Sequence, residues 1–264
     1  MSKAALSMLV FGICVVGIIV SGCLFLAQSV LAETLFESNA DTRCMIAMHA
    51  EQAALQKQVP EPWQVVSIPG GPFKGANFFI VFIDPIVVQD AQGKPNPSGS
   101  SCKVVFAVPA KNTQTNMVAT MVIGGFIGSP STVPGPYKNF KFASITRGYI
   151  QKNLGSKPGT VEDAWVVGEP SKALVELRIK YQESPPFRNK SEQKIYSAKD
   201  PGFFRIYRID SATEMLKSVP MNVDRIQDYQ LRVTVPELSG IFNGTEQIVA
   251  ITAIPLYVRQ VFLP

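Results

Sequence analysis

The stretch ALVELRIKY, residues Ala173 to Tyr181, alternates: Leu177, Ile179 and Tyr181 fall on one side, Arg178 and Lys180 on the other. An alternation of period two is the signature of a half-exposed β-strand, and such strands belong to antiparallel sheets with one wet face. Phe203 to Ile209 (FFRIYRI) repeats the pattern.

Working outward, Asn77–Ile83, Lys103–Val108, Met117–Ile123, Phe140–Ile145 and Gln230–Val235 are short and rich in β-branched and aromatic residues, and are read as further strands. Turn-forming residues crowd Asp90–Ser101 and Gly128–Pro136. Glu183–Asp200 is a long polar stretch, expected to be a surface excursion, and Glu246–Leu263 is expected to be a strand followed by a short closing helix. From Asp41, a candidate cap, Cys44, Met48, Leu55 and Ile46, Ala50, Ala53 recur at helical spacings until Pro60, which predicts one helix.

The chain has 264 residues, 46% of them hydrophobic, enough for one large core. Residues Ala4 to Ala32 carry no charge and follow Lys3. At 29 residues this run exceeds the ~7–15 of an ordinary signal core and reaches the ~20 needed to span a bilayer. Residues 1–32 are therefore expected to be an export signal cleaved near Ala32, with a retained membrane anchor over 4–32 and lipidation at Cys23 as the competing fates. Residues 33–264 form the remaining domain, placed in the periplasm or outside the cell.

Export leaves Cys44 and Cys102 as a pair in an oxidising compartment, so one disulfide stands against two buried free thiols. The net charge is +5, or +4 without Lys3, and its lysines and arginines are dispersed. No nucleic-acid footprint is indicated.

His49 is the only histidine, which excludes mechanisms needing two imidazoles and most hydrolytic zinc sites. GxSxG is absent, and Gly70–Gly75 lacks the spacing of a phosphate loop. The adjacent acids Glu162 and Asp163 are expected to be solvated. Lysine chemistry is left: an amine becomes a nucleophile near neutral pH when burial or a cationic neighbour lowers its pKa.

Ala54-Leu-Gln-Lys-Gln-Val-Pro-Glu-Pro62 resembles the stretch that precedes the first barrel strands in acetoacetate decarboxylases. Tyr149-Ile-Gln-Lys-Asn-Leu-Gly155 stands where that family has Tyr-Pro-Lys-Lys-Leu-Gly, which carries its Schiff-base lysine. Val167-Gly168 leading into Ala173–Tyr181, Phe203–Asp210 with Val223–Val235, and Pro255–Leu263 resemble later segments, so the resemblance runs from about Asp41 to the end.

The resemblance implies a mostly β fold with a few helices, an antiparallel barrel or cone enclosing a pocket. It implies Lys152 as the nucleophile and Arg43 as the group that binds a substrate carboxylate, with no metal and no organic cofactor. Two departures weigh against catalysis. Gln151 or Asn153 replaces the second lysine of the pair, and Val105 stands near the place of the family's carboxylate.

The expected ligand is a small oxo-acid in an exported carbon–carbon lyase, or a small apolar or carboxylated molecule in a non-catalytic envelope protein that binds ligands or partners. The membrane would be touched only through the N-terminal segment if uncleaved, and oligomerisation is compatible with either reading.

Overall fold

Cys44, Ile46 and Met48 recur at every second residue, and all three are buried on one side of strand β1 (Thr34–His49). The predicted Asp41–Pro60 helix is thus a strand followed by one short helix, α1 (Gln52–Gln56). The spacing i to i+4 fits a helix and a strand alike. Ile46, midway between Cys44 and Met48, decides for period two, because in a helix it would face the other way.

The computed structural model describes residues 33–155, 157–169 and 172–264. The segment 1–32, with Cys14 and Cys23, lies outside the described residues. Residues Thr34–Pro264 form one unit.

After β1 and α1 come β2 (Trp63–Val65), β3 (Phe78–Asp90), β4 (Lys103–Asn112), β5 (Val118–Ile127) and β6 (Phe140–Phe142). Next are β7 (Ile145–Leu154), β8 (Lys157–Glu169), β9 (Lys172–Gln182), β10 (Phe187–Ser197) and β11 (Phe204–Ser218). The short β12 (Val223–Asp224), β13 (Ile226–Val233) and β14 (Gln247–Leu263) complete the order. Among the described residues no helix is long and apolar enough to cross a membrane.

The larger sheet closes into a ring. Its neighbours run β4, β3, β1, β14, β11, β10 and β5, and β5 pairs back onto β4. All the joints are antiparallel except β10 on β5, so a seven-stranded barrel results. β2 continues the ladder on β4 beyond β3, and β6 continues the one on β5 beyond β10.

Two expectations change here. Glu183–Asp200 is no excursion, because it holds β10, and the closing segment is one strand, β14, without a helix.

The second sheet, β13-β9-β8-β7, is antiparallel and covers part of the barrel wall. Even-numbered Phe78, Ile80 and Phe82 of β3 and Val104, Phe106 and Val108 of β4 meet Val161, Trp165, Val167, Val175 and Leu177 across the gap. Phe82 and Trp165 lie 5.5 Å apart between ring centroids. The opposite faces of the barrel strands fill the lumen with Val122, Ile195, Tyr207, Ile209, Ile254, Tyr257 and Val261.

Gly125 of β5 lets that strand pass close to its neighbours: a Cβ there would stand 2.5 Å from the Val104 carbonyl oxygen and 2.9 Å from the Phe140 ring. At Gly124 the nearest atom would be 3.9 Å away. Gly125→Ala is therefore expected to cost about 1–3 kcal/mol of overpacking, whereas Gly124→Ala leaves the urea midpoint nearly unchanged. Equal midpoints for the two variants would contradict this packing.

Candidate functional site

β7 sends its odd-numbered side chains toward the barrel: Arg147 reaches β1 and β3, and Gln151 Nε2 donates to Glu183. Lys152 is even-numbered, paired with Thr160, and exposed on the outer face of the smaller sheet. Its neighbour there is Glu162, whose carboxyl Lys180 at 2.8 Å and then Lys152 hold below the usual carboxylate range.

Arg43 lies on the opposite side of the barrel wall. It projects into the lumen, where Nε and Nη2 donate to Asp41 at 2.5 and 2.9 Å and the guanidinium stands 3.3 Å from the Tyr257 ring centroid. The two residues singled out by resemblance are thus kept apart, one outside the covering sheet and one inside the barrel. The Arg43 fork is already occupied by a carboxylate of its own strand.

Cys44 and Cys102 are free thiols. Cys102 lies just before β4, and β3 runs between β4 and β1, so the two stand at least two ladder spacings apart, roughly 10 Å, beyond the ~4.4–6.8 Å that a disulfide spans between Cα atoms. Burial raises the Cys44 pKa, and burial followed by Asp84 pushes the Cys102 thiol up to about 11. His49 is exposed and its Nδ1 lies 2.9 Å from the Gly75 carbonyl oxygen.

The structure gathers polar groups at two centres that the sequence reading did not single out. Between barrel and covering sheet, Arg147 donates from Nε and Nη2 to Asp163, both at 3.0 Å, and from Nη1 to Asp84 at 3.0 Å and Thr42 at 2.6 Å. Its guanidinium also packs 4.7 and 4.9 Å from the ring centroids of Tyr149 and Trp165. Burial works against the charge, but the two carboxylates outweigh it and hold the guanidinium pKa above its ordinary value. Asp163 and Glu162 therefore occupy opposite faces of β8, one buried in this clamp and one solvated.

The second centre lies in the lumen. Lys103 Nζ donates to the carbonyls of Gly99 and Ser101 at 2.6 and 2.9 Å. Burial, followed by the Arg259 guanidinium, brings its pKa down to about 8. Arg259 donates to Asn39 at 3.1 Å, lies 3.8 Å from Glu37 and stands over the Tyr207 ring. The hydroxyls of Tyr207 and Tyr137 bond to each other.

Glu37, Asn39, Asp41 and Arg43 on β1 alternate as solvent-facing residues would. Only the closed ring reveals that their side faces inward.

Chemically, the lumen offers a buried amine with a lowered pKa beside guanidinium groups, which is what amine nucleophilicity requires. Each of these cations has a partner, so an incoming carboxylate would have to displace a carboxylate, an amide or a carbonyl. Among the described residues no group of three or more His, Cys, Asp or Glu could hold a metal ion.

Two variants test these centres. Asp163→Ala leaves Arg147 buried with one carboxylate fewer and is expected to cost about 3 kcal/mol in chemical denaturation. For Lys103, the folded pKa lies below the unfolded one. The unfolded chain therefore holds the extra proton between pH 8 and 10.5, and this residue adds stability as pH rises through that window. The stability of the wild type minus that of Lys103→Met is expected to grow by about 2 kcal/mol between pH 7 and pH 9.5. A flat difference would place the amine in water.

No family model matches the chain, and no curated protein matches it. Solved structures do. The enduracididine biosynthesis enzyme MppR complexed with pyruvate superposes with a TM-score of 0.53 at 9% identity, over 89% of this chain and 91% of that one. An acetoacetate decarboxylase-like enzyme from Sphingomonas wittichii gives 0.52 at 9%, over 89% and 93%. Acetoacetate decarboxylase from Legionella pneumophila gives 0.51 at 11%, over 88% and 86%. At such identities the likeness is one of architecture, and the fold of this chain is that of the acetoacetate decarboxylase-like enzymes.

Proposed function

We propose that the chain is a non-catalytic binding protein built on the acetoacetate decarboxylase-like fold, working in the cell envelope and delivered there by residues 4–32. The observation that carries the reading is the place of Lys152: its side chain is exposed on the outer face of the covering sheet. A Schiff-base lysine needs its amine in a water-excluded pocket next to a bound carbonyl, and the outer face of the covering sheet encloses no such pocket around Lys152. The absence of a second lysine beside it, with Gln151 and Asn153 as its neighbours, supports the same conclusion. The uncharged run Ala4–Ala32 supports the envelope placement.

One observation favours a second reading, a lyase acting on a small oxo-acid. Lys103 is buried in the lumen beside the Arg259 guanidinium, and burial followed by that cation brings its pKa down to about 8. Its amine, however, donates to two backbone carbonyls, and these hydrogen bonds favour the protonated form.

One experiment decides between the readings. The protein is incubated with pyruvate or acetoacetate and borohydride, digested, and its peptides weighed. Lys152 and Lys103 are both expected to stay unmodified. A stable adduct on either lysine overturns the non-catalytic reading and identifies the nucleophile.

A further inference from the structure

The barrel wall formed by β3, β1, β14, β11 and β10 carries an apolar stripe beside a basic ladder. Across the strands Val87 faces Ala40, Ala40 faces Val258, and Val258 faces Asp210 and then Lys190; one step on, Leu256 faces Ala212 and Arg188. The apolar members are open to solvent: Ile86 63%, Leu256 46%, Val87 42% and Val258 40% exposed. Single exposed hydrophobic residues are ordinary, but a row of them across adjacent strands marks a surface that meets something.

The flank of the stripe is basic. Arg188, Lys190, Lys194 and Arg208 project from β10 and β11 on the same face and share only Glu192 and Asp210 among the acids of that hairpin face. At the end where β1 begins, cations of the outer face lie over aromatic rings: Arg208 is 4.2 Å from the Phe262 centroid and Lys194 5.4 Å from that of Phe204. Aromatic and basic side chains together, next to aliphatic ones, suit the headgroup region of a bilayer.

We propose that this wall lies against an anionic lipid surface. The proposal rests on the envelope placement given above, taken with residues 4–32 retained as the anchor rather than cleaved near Ala32. β1 begins at Thr34, paired with Leu263, and only Glu33 separates it from the uncharged run Ala4–Ala32. A segment of that kind embedded in a bilayer holds the start of β1 within a Debye length of the headgroups, where an excess of lysine and arginine is attracted to anionic lipid. An acidic protein partner would meet the same cations but has no such tether to bring it there.

The test uses residues 34–264, which have their own cores. Sedimentation is measured with vesicles of phosphatidylcholine alone and of phosphatidylcholine mixed with phosphatidylglycerol. Binding to the anionic vesicles is expected to exceed that to the neutral ones by about tenfold or more at low salt and to collapse at high salt. The double reversal K190E/K194E is expected to abolish the difference. K152E/K180E, on the outer face of the covering sheet, is expected to retain it.

Equal partitioning to both vesicle types, no binding to either, or equal loss in the two double variants overturns the proposal. Circular dichroism of each variant keeps misfolding from being mistaken for lost binding. The envelope placement is tested separately by whether the full chain stays with membranes after an alkaline wash. Retention there with no vesicle binding by residues 34–264 would overturn the surface alone.

Discussion

Three rungs of parallel ladder, Ile195 with Thr120, Tyr196 with Met121 and Ser197 with Val122, turn a row of seven strands into a ring. Without them β5 and β10 would both be edges, each presenting unpaired N–H and C=O groups. With them the inner face of every strand is shielded. The ion pairs and tyrosines of the lumen depend on that shielding, because Arg43, Asp41, Arg259 and Glu37 would otherwise be ordinary surface charges.

The two polar centres serve stability differently. The Arg147 clamp joins the covering sheet to the barrel through one guanidinium that reaches three strands. A buried pair of this kind gains little over well-packed apolar groups, but it fixes which residue of β8 faces which residue of β3. The lumen centre is closer to neutrality when Lys103 gives up its proton, because the two arginines then face Glu37 and Asp41. Burial first, and then the Arg259 guanidinium, make this amine easy to deprotonate without any neighbouring lysine, while Glu37 and Asp41 act against it.

A strand with a dry face and a wet face is legible in the sequence at Ala173–Tyr181, whereas in Phe204–Ile209 Arg205 and Arg208 lie on opposite faces and Ile206 and Tyr207 are both buried. The antiparallel barrel inferred from such strands and from the family resemblance is the fold observed. β10 escaped because its first eight residues bury almost nothing. Ladder hydrogen bonds hold it, and these leave no mark on composition. β1 reads as a helix because helix and strand agree at a spacing of four.

Arg43 was singled out and does face an interior, but alternation cannot say which of two faces a ring encloses. Lys103, Arg147 and Arg259 were therefore indistinguishable from solvated charges. Lys152 attracted notice through its neighbours in sequence, Tyr149 and Leu154-Gly155, whereas its exposure follows from its parity along β7.

β1 and β14, the first and last strands, are ladder partners over nearly their whole length. More than two hundred residues must therefore be made before the earliest strand meets one of its two neighbours. Contacts this distant along the chain are slow to form. Throughout synthesis the apolar edge of β1, with Ile46, Ala47 and Met48, waits for a partner that does not yet exist. The barrel can therefore close only after β14 has been made, and β1 stays open to misassociation for the whole interval between its own synthesis and that of β14.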